Sequence, residues 1–145
     1  MRGWVDDHYW QSPSDYRRCM IGGCLAVFIG GGVGAAVRHG VNRASLAYLG
    51  PAFPYGTLIV NIVGSLLMGV LAELFLLKGG GSQTFRLFLT TGLLGGFTTF
   101  SAFSVDAALM WQRSDYAALG TYILASVLIS IVALFLGMAA VRALS

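Results

Sequence analysis

The placement of charge constrains this chain more than any other feature. Arg18 and Arg38 are separated by 19 residues without Asp, Glu, Lys or Arg, Arg43 and Glu73 by 29, Arg86 and Asp106 by 19, and Asp115 and Arg142 by 26. A helix needs about 20 predominantly apolar residues to cross the hydrocarbon core of a bilayer, where no water is present to satisfy an exposed backbone. Four such spans fit, over about residues 20–38, 53–77, 85–111 and 116–141, with no length left for a second domain. Only 10% of the residues are charged and 57% are hydrophobic, against roughly 25% charged for a soluble domain. The expected fold class is an all-α membrane protein of four transmembrane helices, residues 20–145, behind a polar and aromatic tail, residues 1–19.

The first apolar run follows "MRGWVDDHYWQSPSDYRRC" and carries no clear small-residue cleavage site, so it is read as a retained span rather than a signal peptide. Trp4, Tyr9, Trp10 and Tyr16, followed by Arg17 and Arg18, suit a segment at the headgroup level; a disordered tail fits as well. Cys19 and Cys24 are not at a metal or redox spacing and are expected to be buried as small apolar side chains. His8 and His39 lack companion ligands, and a net charge of +3 is too dispersed to indicate nucleic acid. Short loops place both termini on one side. That side carries Arg2, Arg17, Arg18, Lys78, Arg86 and Arg142, and the other carries Arg38, Arg43 and Arg113. The bias puts the termini in the cytoplasm, in a multi-pass protein of the inner (plasma) membrane.

Glycines at G-x-x-x-G spacing, Gly30 with Gly34 and Gly92 with Gly96, point to close helix packing. Polar residues inside the spans are ordered. Thr57, Asn61 and Ser65 recur every four residues on one face of the second span, and Tyr122, Ser126 and Ser130 do so on the fourth. In the third, Phe100 and Phe103 share a face beside a stripe of Ser101 and Ser104. A single serine usually bonds back to its own helix, but an amide at mid-depth must find partners that lipid does not supply. There is no central carboxylate, no His–acid pair and no nucleophile beside a base, so hydrolysis and proton-coupled transport are poorly supported; the chain is not read as an enzyme. Uncharged donors and electropositive ring edges suit a small, strongly hydrated anion. Arg38 would either concentrate that anion or snorkel to the interface. "GGFTTFSAFS", residues 95–104, weakens helix continuity near the middle of the third span. The carbonyls freed by a break survive at membrane depth only when buried, wetted or bound to a cation, so the segment predicts an ion site without naming the ion.

"GGGVGAAVR" (Gly30 to Arg38), "GTLIVNIVGS" (Gly56 to Ser65) and "GGFTTFSAFSVD" (Gly95 to Asp106) together resemble the Fluc (CrcB) family of fluoride channels, over about residues 20–141. The resemblance implies antiparallel, dual-topology dimers with two fluoride pores and a structural sodium ion (Na+) at the centre. It implies that backbone carbonyls of Gly95 and Thr98 from each subunit hold the sodium. Phe100, Phe103 and Asn61 would line the pore, Tyr122, Ser126 and Ser130 would form a hydroxyl track, and Arg38 would stand in the vestibule. Fluoride would leave the cytoplasm passively. Two positions depart from the family pattern: Ala102 replaces a hydroxyl, and Asp106 stands where Glu is common. A homodimer is favoured over a pair of paralogues. Two other readings remain: a small multidrug transporter, which needs an acid that residues 20–37 lack, and a non-transporting assembly protein.

Overall fold

The computed structural model describes residues 13–79 and 81–145; the expectations for Arg2, Trp4, His8, Tyr9 and Trp10 lie outside them, as do those for the side chains of Tyr16, Arg17, Arg18 and Cys19. It is all-helical, and four helices are long and apolar enough to cross a membrane: Met20–Leu49, Tyr55–Leu77, Gln83–Gln112 and Tyr116–Ala143. The first helix, Pro13–Leu49, does not stop at Arg38. The next strong breaker is the Gly50–Pro51 pair, with Gly50 at φ 78°. Arg38 marks a polar site on a continuing helix, not the end of one.

The second helix, Tyr55–Lys78, begins after Pro54 and ends at Gly79 in the left-handed conformation. Ser82 caps the third span by accepting from the Phe85 N–H at 3.3 Å. Asp115 caps the fourth by accepting from Ala118 at 3.2 Å. Two stretches widen to π-helical turns, Phe88–Leu94 and Ala125–Ile129.

Small residues set which helices touch. The first and third spans run side by side because their glycines face each other. A methyl group on Gly30 would lie 2.6 Å from the Phe88 carbonyl oxygen and 3.1 Å from Gly92 Cα. One on Gly34 would collide with the Leu93 carbonyl, and one on Gly96 with that of Gly31. The two expected G-x-x-x-G pairs therefore meet. The second and fourth spans pack in the same manner, Gly69 against the Leu134 carbonyl and Gly137 against that of Leu66. Near their C-terminal ends Glu73, 2% exposed, is held by Arg142 through two bonds, Nε to Oε1 at 2.7 Å and Nη2 to Oε2 at 3.0 Å.

Large apolar side chains such as Phe28, Ile29 and Phe135 point outward, as lipid allows. Cys24 is also exposed, contrary to the expectation of burial. The first helix turns its glycine face inward, and the apolar medium outside removes the need to bury a thiol.

Candidate ion pathway

The third span is interrupted where expected. Thr98 (φ −77°, ψ 161°) and Thr99 (φ −157°, ψ 119°) are extended, between a helical half ending at Phe97 and a second half, Phe100–Gln112. Thr99 caps the second half, its hydroxyl accepting from the Ala102 N–H at 3.1 Å.

Two side chains from other spans hold this break. Asn61 Oδ1 accepts from the Thr99 N–H at 2.8 Å, and Asn61 Nδ2 donates to the Thr99 carbonyl at 3.1 Å. Arg38 Nε donates to the Gly96 carbonyl at 3.1 Å. Its positive charge sits at the C-terminal end of the first half-helix, where the helix dipole favours a cation. In an unbroken helix the Thr99 N–H would bond to the Gly95 carbonyl. Here Asn61 takes that N–H, and the Gly95 carbonyl loses its intrahelical partner. Gly95 is exposed, and a methyl group there would meet only the Thr90 carbonyl oxygen, at 3.5 Å. The oxygens of Gly95 and Thr98 are a donor set fit for a hard monovalent cation.

A groove of about 410 Å³ opens beside the break. Asn61, Thr98, Phe100, Phe103, Ser126 and Ser130 from the expected set line it, and Ser65 joins them. The two rings lie 5.4 Å apart between centroids, inclined by 40°, but they are not equivalent: Phe100 is 77% exposed and Phe103 8%. Phe103 packs 5.2 Å from Tyr122, which is wholly buried and stands edge-on to Phe53.

The remaining expected residues lie off this groove. Thr57 is buried and lines a second cavity of about 330 Å³, at the end where the first and second spans are joined. Asp106 lines the same cavity and accepts from the Tyr122 hydroxyl at 3.1 Å, joining the hydroxyl track to that end. Asp106 is singled out in the sequence only as a departure; the turn spacing from Phe103 was the available signal. Ser101 and Ser104 are exposed, Ser101 Oγ 3.3 Å from Thr99 Oγ1 and Ser104 donating back to the Phe100 carbonyl at 2.9 Å.

The family model described as CrcB-like protein, Camphor Resistance (CrcB), matches residues 25–138. A protein of Rhodopseudomonas palustris (strain BisB5) named fluoride-specific ion channel FluC is 53% identical over 121 residues, 83% of this chain and 98% of the relative. A protein of the same name from Methylobacterium nodulans is 52% identical over 118 residues, 81% of this chain and 94% of the relative. Fluoride-specific ion channel FluC 2 of Nitrobacter hamburgensis is 46% identical over 121 residues, 83% of this chain and 98% of its own.

Proposed function

The chain belongs to the CrcB family, and from that premise we propose that it is a fluoride-selective channel, not an enzyme, that lowers cytoplasmic fluoride by passive export across the plasma membrane. The observation that carries this reading is the Asn61–Thr99 pair, because it produces two opposite ends at one depth. The first half-helix ends in carbonyls, and the second begins, beside the groove lined by Thr98, Thr99 and Phe100, with the N–H groups of a helix N-terminus, of which the cap takes that of Ala102. Carbonyls suit a cation and N–H groups suit an anion.

Fluoride is small and strongly hydrated, so its passage requires donors that replace water. Ser126, Ser130 and the ring edges of Phe100 and Phe103 supply weak, uncharged contacts in series. Such contacts stabilise the ion enough to admit it and release it without a deep trap. Tyr122, Asp106 and Thr57 carry the polar track to the second cavity.

The functional unit in this reading is an antiparallel homodimer of dual topology. The Gly95 and Thr98 carbonyls of both copies would hold a sodium ion, which would bridge the copies and neutralise the exposed oxygens. Passive conduction is sufficient for export: fluoride enters as the neutral acid and ionises in the cytoplasm.

The test is purified protein in liposomes loaded with potassium fluoride, with a fluoride electrode outside and a potassium ionophore to collapse the membrane potential. Rapid fluoride release without chloride release is expected. An absence of fluoride release from folded, reconstituted protein overturns the reading.

A further inference from the structure

We propose that Ser65, one helical turn beyond Asn61, is a further anion-contacting residue, and that with Ser130 it forms a fluoride station on the far side of the phenylalanine pair. The assignment rests on the channel reading above and extends it to a residue of the second span.

A hydroxyl inside an apolar helix normally donates to the carbonyl one turn back. Thr90 does so to Arg86, Thr98 to Leu94, Ser104 to Phe100 and Thr121 to Ala117, at 2.9–3.0 Å. Ser130 does not: its Oγ is fully buried and has no hydrogen-bond partner. Ser130 immediately follows the π-helical turn Ala125–Ile129, where the regular one-turn spacing of hydroxyl and carbonyl is interrupted. Such turns recur at functional sites because they release groups that a regular helix occupies. A buried hydroxyl without a partner is costly, and a ligand that accepts its hydrogen removes the cost.

Ser65 lines the same groove as Ser130, from the adjoining span. The second and fourth spans run alongside each other, so the series Asn61, Ser65 advances in step with Ser126, Ser130. Beyond them the groove wall becomes apolar, at Met68, Ile131 and Leu134. Ser65 and Ser130 are therefore the last pair of hydroxyl donors before that wall. One ion lodged between them would receive two O–H bonds, a number suited to a site that must also release it.

The experiment measures fluoride flux against fluoride concentration for the wild type, Ser65→Ala, Ser65→Thr, Ser130→Ala and the double variant Ser65→Ala/Ser130→Ala. Loss of one hydroxyl should raise the half-saturating fluoride concentration about tenfold, the effect of one hydrogen bond to a charged group. Ser65→Thr keeps the donor and should stay within about twofold of the wild type. The double variant should resemble the single ones more than their product, since both donors hold one ion. Unchanged half-saturation in a conducting Ser65→Ala overturns the assignment, as does full additivity in the double variant. A wild type that does not conduct overturns the channel reading itself, a distinct result. A thermal midpoint that falls with unaltered fluoride dependence returns Ser65 to a packing role.

Discussion

Asn61 and Thr99 exchange two hydrogen bonds between the second and third spans, at 2.8 and 3.1 Å, so that a side-chain amide replaces the backbone partners which the interrupted helix gives up. The pairing resembles one rung of a sheet ladder with a side chain standing in for a strand. Each such bond contributes about 1 kcal/mol net, but an orphaned buried partner costs about 1–3 kcal/mol. Asn61 thus does more for the break by keeping both Thr99 groups satisfied than by attraction alone.

Replacing Asn61 with Asp tests this directly. A carboxylate can still accept from the Thr99 N–H, but its second oxygen confronts the Thr99 carbonyl, and a negative charge appears beside the groove. We expect fluoride flux to fall by at least about tenfold and the thermal midpoint to drop, with a loss of about 2 kcal/mol from the orphaned carbonyl. Normal flux in folded Asn61→Asp protein would contradict the placement.

The two phenylalanines should respond differently because their surroundings differ. Phe100 is 77% exposed and packs little within the subunit, whereas Phe103 is buried against Tyr122. Phe100→Ile is expected to leave stability within about 0.5 kcal/mol and yet to reduce flux sharply, because the ring quadrupole is lost. Phe103→Ile should lower both, with a stability cost of about 1 kcal/mol from imperfect repacking. Paired flux and melting measurements separate them; a Phe100→Ile channel with wild-type flux returns that ring to a packing role.

How much of this was legible in the sequence depended on whether the signal was periodic or mutual. The four spans followed from charge spacing, close helix packing at Gly30, Gly34, Gly92 and Gly96 from G-x-x-x-G though not which helices it joins, and the Asn61 and Ser126–Ser130 faces from four-residue recurrence. The break was legible in "GGFTTF", because glycine and β-branched residues both weaken a helix. Three features were not. The continuation of the first helix to Leu49 was hidden because Arg38 reads as an interfacial charge, while its actual partner, Gly96, lies 58 positions along the chain. The Glu73–Arg142 pair requires knowing that the second and fourth spans end together. The π-helical turns leave no hydrophobic period of their own, and the partnerless hydroxyl of Ser130 appears only in three dimensions.

The ion pair between Glu73 and Arg142 yields an asymmetric prediction. Glu73 is nearly inaccessible, while the Arg142 side chain is 63% exposed. Arg142→Gln strands a buried carboxylate without its counter-charge and should lower the denaturation midpoint clearly. Glu73→Gln leaves only an exposed arginine, which water solvates, and should lower the midpoint at most about half as much. The double variant should recover much of the Arg142→Gln loss. Equal shifts for the two single variants, measured by denaturation in detergent, would refute the asymmetry.

Close approach of the first and third spans gives a folding test with its own control. Valine at Gly30 would drive side-chain atoms into the Phe88 carbonyl and the Gly92 backbone, and neither can move without separating the helices. Gly32, two residues on, has nothing in the subunit within 4 Å of the place a methyl group would occupy. Gly30→Val should abolish recovery of folded protein, whereas Gly32→Val should be recovered in the membrane fraction at wild-type levels. Equal recovery of both variants, judged by gel filtration, would remove the glycine contact as the determinant of this interface.

Gly95 gives the sharpest test of the proposed dimer. Its φ of −63° is ordinary helix, so a side chain causes no backbone strain there. Inside the subunit a methyl group meets only the Thr90 carbonyl oxygen, at 3.5 Å, an ordinary contact. Valine at this position should therefore leave the subunit folded, apart from a helix-propensity difference below about 1 kcal/mol. Any larger effect must come from outside the subunit. If the Gly95 and Thr98 carbonyls of two copies share a sodium ion, the valine side chains meet at that junction and hold the oxygens apart. We expect Gly95→Val to shift the protein from dimer to monomer in detergent, to abolish the sodium dependence of dimerisation, and to lose flux as a consequence, while its helix content matches the wild type. Sedimentation in sodium and in N-methylglucamine buffers, with circular dichroism on the same samples, distinguishes these effects. A Gly95→Val protein that remains dimeric with unchanged sodium dependence removes the cation from the centre of the assembly.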